Sequence, residues 1–161
     1  MTGILLRSIT PKGKIFDIDQ FDRLAAKALN DVIKKANGEF DRTVATWKTK
    51  PDFKIDRATS SKLVATVSTM DKIYGYVTRG TKPHQIHVKS APALKFKSGF
   101  TSKTIPRRIT SRRGNRFGNW VSKRSVMHPG NEPRDFDIVI AEQMQPVLSK
   151  EVRNAIKKAS S

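Results

Sequence analysis

The segment that decides the fold lies at residues 20–37 and reads QFDRLAAKALNDVIKKAN. Its apolar side chains recur at i, i+3, i+4 and i+7, the spacing that gathers them on one face of an α-helix. Asp19 is placed to cap the first turn, and Asn37-Gly38 is a typical helix stop signal. The sequence therefore predicts an amphipathic helix over 20–37, whose apolar face consists of Phe21, Leu24, Ala25, Ala28, Leu29, Val32, Ile33 and Ala36.

A second apolar stripe lies near the end of the sequence, where every fourth residue from Phe136 to Ile156 is apolar. That spacing predicts a second amphipathic helix. Pro146 falls inside it and has no backbone N–H group, which costs roughly 3 kcal/mol in a helix interior. We therefore expect a kink or a break just before Pro146.

Between the two helices, short segments rich in β-branched residues are bounded by turn signals. Residues 62–69 and 73–78 flank Asp71-Lys72 and predict two antiparallel strands, although the second segment is short enough to be a helical turn instead. Further short strands are predicted at 14–18, 85–88, 93–97 and 119–122. The predicted fold class is α+β: a single domain over 1–161 in which a small, mostly antiparallel sheet packs against an N-terminal helix and a C-terminal helix.

The positive charge is concentrated in the middle of the chain. The 161 residues include 32 Lys and Arg against 14 Asp and Glu, and residues 72–131 hold 14 of the basic residues and no acidic one. Such a segment must spread into solvent or meet acidic groups on a protein partner or a nucleic acid. Residues 98–116 are predicted to form a long, mobile basic loop that becomes ordered only against a partner. The expected contacts with a partner or with DNA are Arg107, Arg108, Arg112, Arg113, Arg116, Lys123 and Arg124.

Composition excludes several classes of protein. The sequence contains no cysteine, which excludes disulfide bridges, thiolate metal sites and cysteine nucleophiles. No apolar run approaches the roughly 20 residues that a membrane helix needs. The apolar part of residues 1–7 is too short for a secretory signal, so we expect the protein to stay in the cytoplasm without membrane contact.

Three histidines, His84, His87 and His128, are the candidate ligands of a metal-dependent nuclease. No Asp or Glu lies between residues 72 and 131 to orient these imidazoles, and a metal cation would enter a strongly basic segment. The sequence also lacks a Gly-x-Ser-x-Gly nucleophile motif and the glycine patterns that bind phosphate. We therefore predict that the protein is not an enzyme, with no catalytic residue, no metal and no cofactor.

The alternative function is that of a basic nucleic-acid-binding protein without catalytic activity. The basic segment contains Phe100, Phe117 and Trp120. Aromatic rings can stack on bases while guanidinium groups bind phosphates. The competing interpretation is a solvated loop beside aromatic residues of the core.

Two segments, residues 76–86 and 126–136, combine turn-forming residues in a distinctive order. In the first, Gly80 interrupts an apolar segment and Pro83 fixes the direction in which the chain leaves. In the second, Pro129 is followed by a glycine, a pair that predicts a sharp turn. The predicted structural turn residues are Gly80, Thr81, Pro83, His84, His128, Pro129, Gly130, Pro133, Arg134 and Phe136.

Together these segments resemble the small neck or tail-completion proteins of long-tailed bacteriophages, the gp-ten-like head-to-tail connection proteins. The pattern of that family is Tyr, then Gly-Thr-x-Pro-His-x-Ile, Ala-Leu-x-Phe, a variable polar insertion, Val-x-His-Pro-Gly-x-x-Pro-Arg-x-Phe and a closing helix. The residues that match it are Tyr76, Gly80, Thr81, Pro83, His84, Ile86, Ala93, Leu94, Phe96, Val126, His128, Pro129, Gly130, Pro133, Arg134 and Phe136.

The resemblance implies a structural virion protein of the neck or upper tail, assembled in the host cytoplasm, that joins the tail tube to the DNA-filled head. It also implies a ring of identical subunits, commonly a hexamer, whose contacts join two different faces of the subunit. The implied partners are neighbouring head-closure, tail-terminator or tail-tube proteins, with contact to the genomic DNA left open.

Overall fold

The computed structural model describes residues 16–109 and 114–160, and within these ranges the chain forms three α-helices and six β-strands. In chain order the elements are α1 (Ile18–Thr43), β1 (Lys54–Asp56), β2 (Thr66–Ser68), α2 (Lys72–Arg79), β3 (His84–His87), β4 (Leu94–Thr101), β5 (Asn115–Lys123), β6 (Ser125–His128) and α3 (Phe136–Ala159). The strands form three two-stranded antiparallel sheets, in which β1 pairs with β2, β3 with β6 and β4 with β5. The α+β prediction is confirmed.

The chain divides into two compact units. Unit 1 consists of residues 1–41, 52–70 and 137–161, and unit 2 consists of residues 42–51 and 71–136. Unit 2 contains 18 Lys and Arg against 3 Asp and Glu, so most of the excess positive charge of the protein belongs to it. The single domain over 1–161 stays a prediction.

The core of unit 1 is built from the apolar faces of α1 and α3. Leu29 and Val32 of α1 share a buried cluster with Leu148 of α3, and a second cluster joins Phe21 to Ala155. The two helices also meet at their ends, where a backbone hydrogen bond joins the N–H group of residue 17 to the carbonyl of residue 159 (3.1 Å). Both helices therefore form where the periodicity predicts them, because each buries its apolar stripe.

The bounds of α1 differ from the prediction at both ends. The carboxylate of Asp17 accepts a hydrogen bond from the N–H group of Gln20 (2.8 Å), so Asp17 rather than Asp19 caps the first turn. The helix also continues past Gly38 to Thr43, and the expected stop there is wrong. Beyond that glycine the aromatic ring at position 40 packs against that of Phe53, with 5.4 Å between ring centroids, and this burial outweighs the local stop signal. Of the strand predicted at 14–18, residues 14 and 15 lie outside the described residues, and the prediction is wrong for the rest.

Residues 73–78 form most of α2, so the prediction of a strand there is wrong and the alternative of a helical turn is confirmed. The reason is Asp71, whose carboxylate caps the helix by accepting a hydrogen bond from the N–H group of Tyr74 (2.7 Å). Of the strand predicted at 62–69, only residues 66–68 are confirmed, as β2, and their partner is β1. The strands predicted at 85–88, 93–97 and 119–122 are confirmed as β3, β4 and β5 with shifted ends, whereas β6 was not predicted.

The predicted loop at 98–116 is wrong at both ends. β4 extends to Thr101 and β5 begins at Asn115, so six residues of the predicted loop belong to strands. In the described part of the connection, Thr104 and Ile109 are buried. That part is therefore anchored to unit 2, while the mobility of the segment stays a prediction.

α3 runs from Phe136 to Ala159 without interruption, so a break before Pro146 is wrong, while the alternative of a kink there stays a prediction. The side chains on either side explain the continuity, because Met144, Val147 and Leu148 all pack in the core of unit 1. Tertiary burial holds the helix together across the missing backbone donor.

We expect Pro146→Ala to raise the free energy of unfolding by about 1–3 kcal/mol, because alanine restores the backbone N–H group at an exposed position of the helix. Chemical denaturation followed by far-ultraviolet circular dichroism measures the change. The control Gln143→Ala, also exposed in α3, should shift the free energy of unfolding by less than about 0.5 kcal/mol. A Pro146→Ala protein no more stable than the wild type would contradict this account of the helix.

Candidate interaction site

The two turn segments singled out in the sequence lie against each other in unit 2. β3 and β6 pair so that His84 lies opposite His128 and Ile86 lies opposite Val126. Beyond the sheet, the backbones at positions 81 and 131 continue the pairing as an isolated bridge. We call residues 78–84 together with 128–136 the paired-turn motif.

Hydrogen bonds join the two halves of the paired-turn motif. Thr81 and Asn131 exchange backbone hydrogen bonds of 3.0 and 3.1 Å, and the Thr81 hydroxyl accepts a further one from the N–H group of Asn131 (3.0 Å). The N–H groups of Arg134 and Asp135 both donate to the carbonyl of Thr78 (3.0 and 3.1 Å). Five bonds therefore connect segments that are some fifty residues apart in the sequence.

Two glycines allow this close approach. Gly80 has φ 76° and Gly130 has φ 85°, a region that other residues avoid. A Cβ atom on Gly80 would lie 2.6 Å from the carbonyl oxygen of Asn131 and 2.9 Å from the ring of Pro133, and one on Gly130 would collide with the carbonyl of Thr81. Any larger residue would therefore push the two halves of the motif apart.

The histidines of the motif hold local structure. The rings of His84 and His128 stack with centroids 5.1 Å apart. Nδ1 of His84 lies 2.9 Å from the carbonyl oxygen of Lys82, and Nδ1 of His128 accepts a hydrogen bond from the N–H group of Gly130 (3.0 Å). His87 is three residues along β3 and therefore points to the opposite face of the pair. The described residues contain no group of three side chains placed to hold a metal ion.

The second half of the motif also anchors the connection between β4 and β5. The guanidinium group of Arg134 is buried, and its Nε donates to the hydroxyl of Thr104 (3.1 Å). The carbonyl of Arg134 accepts a hydrogen bond from the N–H group of Arg107 (3.0 Å). Phe136 is 1% exposed and stacks on Tyr74 with centroids 6.0 Å apart. The turn residues that the sequence predicts are thus central to the packing of unit 2.

A cavity of about 390 Å³ opens beside the motif within unit 2. Apolar groups from Trp47 and Phe100 and the cationic side chains of Lys103, Arg116 and Arg134 line it, and no carboxylate does. Two of these cations are already engaged, since the ammonium group of Lys103 donates to a backbone carbonyl at position 46 (2.8 Å) and Arg134 donates to Thr104. The lining suits binding of an anionic group and offers no base for proton transfer.

The β4–β5 sheet contains a bulge that decides which side chains share a face. Lys97 lies opposite Trp120 and Gly99 lies opposite Phe117, so the single residue Ser98 faces two residues of β5. One of these two is a glycine with φ 82°, as expected at a bulge. Residues three apart on a strand normally face opposite sides, but the extra residue brings Phe117 and Trp120 to the same side.

One side of this sheet combines aromatic rings with lysines. Trp120 is 71% exposed and Phe117 is 53% exposed, and the ammonium group of Lys97 lies 5.9 Å from the centroid of the Trp120 ring. The other side carries the half-buried Leu94, Phe96 and Val121 and the exposed Phe100. We call the side of Trp120 and Phe117 the ribbon face and define it by Lys95, Lys97, Gly99, Phe117, Trp120 and Ser122.

The basic residues predicted to contact a partner are placed differently from one another. Arg107 lies 3.8 Å from the carboxylate of Asp135, and Arg108 is exposed in the same connection. Arg116 and Lys123 are exposed but lie opposite Phe100 and Leu94, on the side of the sheet away from the ribbon face. Arg124 is exposed between β5 and β6, whereas Arg112 and Arg113 lie outside the described residues. The sequence prediction missed Lys95 and Lys97. They alternate with the apolar Leu94 and Phe96, a pattern that places both lysines on one face of a strand.

Comparison with protein-family models, with curated proteins and with solved structures gives no significant match to this chain. None of the helices in the described ranges combines the length and the apolar character that crossing a membrane requires. The resemblance to phage neck proteins therefore depends on the motif residues themselves.

We expect Gly130→Ala to lower the stability of unit 2 by about 2 kcal/mol or more, because the new Cβ meets the backbone of the facing turn at a strained φ. Both tryptophans of the chain lie in unit 2, so chemical denaturation followed by tryptophan fluorescence measures the loss. The matched control is Gly75→Ala in α2, where a Cβ has no atom within 4 Å, and it should be neutral or stabilising by up to about 1 kcal/mol. Equal effects of the two substitutions would contradict the packing described for the paired-turn motif.

Proposed function

We propose that this chain is a structural subunit of the neck or tail-completion complex of a long-tailed bacteriophage, with no catalytic step of its own. The observation that carries the proposal is the paired-turn motif. The two sequence segments that resemble the phage family are far apart in the chain, yet their residues form one hydrogen-bonded arrangement. In this chain, the residues that carry the resemblance therefore form one three-dimensional element.

The contacts of the motif give its residue types a physical reason. Gly80 and Gly130 are needed where the two halves approach, His128 receives a hydrogen bond from the turn that follows it, and Arg134 joins the motif to the connection after β4. The matched residues of the two segments thus depend on one another for their packing. This dependence supports the neck proposal.

The surface of unit 2 also suits a subunit that is completed by neighbours. Large apolar side chains stay exposed along it, among them Ile73 (64%), Tyr76 (58%) and Met127 (64%). Exposed apolar and aromatic groups of this size are typical of protein interfaces. In a ring, such groups would be covered by a different face of the next subunit. The ring, its hexameric size and its head-closure, tail-terminator or tail-tube neighbours belong to this proposal.

The test uses an amber mutation in the gene within the phage that encodes it. Negative-stain electron microscopy of the lysate should show filled heads and separate tails, because the joint between them is missing. A plasmid copy of the wild type or of Gly75→Ala should restore joined, infectious particles, whereas Gly130→Ala should not. Intact infectious particles from the amber mutant, or virions without this protein by mass spectrometry, would refute the proposal.

A further inference from the structure

We propose that the ribbon face binds a single strand of nucleic acid, with bases stacked on Trp120 and Phe117 and phosphates bound by Lys95 and Lys97. The inference goes beyond the proposed neck function and does not depend on it. It assigns binding to side chains on β4 and β5, away from the arginines that the sequence alone suggested.

The first argument is the display of two aromatic rings. Trp120 and Phe117 are more than half exposed on one face, although rings of this size usually bury most of their surface. They stand opposite Lys97 and Gly99, two residues apart on β4, which places them about 7 Å from each other along the strand. Gly99 has no side chain, so the Phe117 ring lies directly over its Cα. Two flat, separated platforms match successive bases of an extended strand.

The second argument is charge. The three acidic residues of unit 2 are all engaged within the unit: Asp71 caps α2, Asp135 lies 3.8 Å from Arg107, and Glu132 lies 3.9 Å from Arg134. None of them lies on β4 or β5, and residues 72–131 contain no carboxylate at all. The lysines of the ribbon face thus have no acidic partner on their own sheet, and a phosphodiester backbone supplies one.

The third argument separates a single strand from other occupants. In a duplex the faces of the bases are covered by their neighbours, so Trp120 and Phe117 could not stack on them. A second copy of this chain would bring another ribbon face with lysines and no carboxylate, so the two like-charged faces would repel each other. An acidic peptide would satisfy the lysines but would leave both rings without a flat partner.

The experiment measures fluorescence anisotropy of labelled single-stranded DNA, single-stranded RNA and a DNA duplex of the same length against the full chain. We expect both single strands to bind more tightly than the duplex. Trp120→Ala and Phe117→Ala should each weaken single-strand binding roughly 5- to 100-fold and leave duplex binding unchanged. Trp120→Phe should retain most of the affinity, because it keeps an aromatic face.

Salt dependence distinguishes the two kinds of contact. Lys95→Gln and Lys97→Gln should each reduce the slope of log affinity against log salt by about 0.7, whereas Trp120→Ala should leave that slope unchanged. Arg116→Gln, on the other side of the sheet, is the matched charge control and should affect single strands and duplex alike. Circular dichroism establishes that each surface variant keeps the wild-type fold.

Three outcomes would overturn the inference. The first is duplex binding as tight as single-strand binding, and the second is a single-strand affinity that neither aromatic substitution changes. The third is a polyglutamate competitor that binds as tightly as the single strand and whose binding depends on Trp120 to the same extent. Phage assembly is scored separately, by complementation of the amber mutant with Trp120→Ala. A failure of nucleic-acid binding is thereby distinguished from a failure of the neck proposal.

Discussion

The antiparallel pairing of β3 with β6 is the constraint on which the rest of unit 2 depends. Its register places His84 opposite His128, and this fixes where the turn before β3 meets the turn after β6. Gly80 and Gly130 then allow the backbones to approach, and the carbonyl of Thr78 receives two N–H groups from the far half of the motif. A slip of one residue would turn the side chains of one strand to the opposite face relative to its partner and remove these contacts together.

The same pairing explains how a strongly basic unit is held together although residues 72–131 contain no carboxylate. Burial of Phe136 against Tyr74 and the backbone bonds of the paired-turn motif supply the cohesion. The few carboxylates are used near the ends of elements, where they cap a helix or meet an arginine. The lysines and arginines of the sheets are consequently available for contacts outside the chain.

Much of the fold could be predicted from the sequence, but the pairing of distant segments could not. Periodicity revealed α1 and α3 because their apolar stripes span many turns, while residues 73–78 were too few to separate a helix from a strand. The predicted helix end at Gly38 and the predicted break before Pro146 were wrong because packing of the neighbouring side chains outweighs a local stop signal. At the site, the turn residues were identified singly. Their mutual contacts, and the bulge that brings the aromatic rings to one side, depend on register, which local sequence does not encode.

The bulge at Gly118 makes the ribbon face depend on how the two strands pair as well as on residue type. Phe117 and Trp120 are three residues apart, so a regular pairing without the bulge would turn the indole to the opposite side, although every residue kept its identity. Two aromatic residues spaced by two on a regular strand would share a face without a bulge and without its glycine. A change that abolished the bulge at constant chain length would therefore alter recognition without replacing either ring.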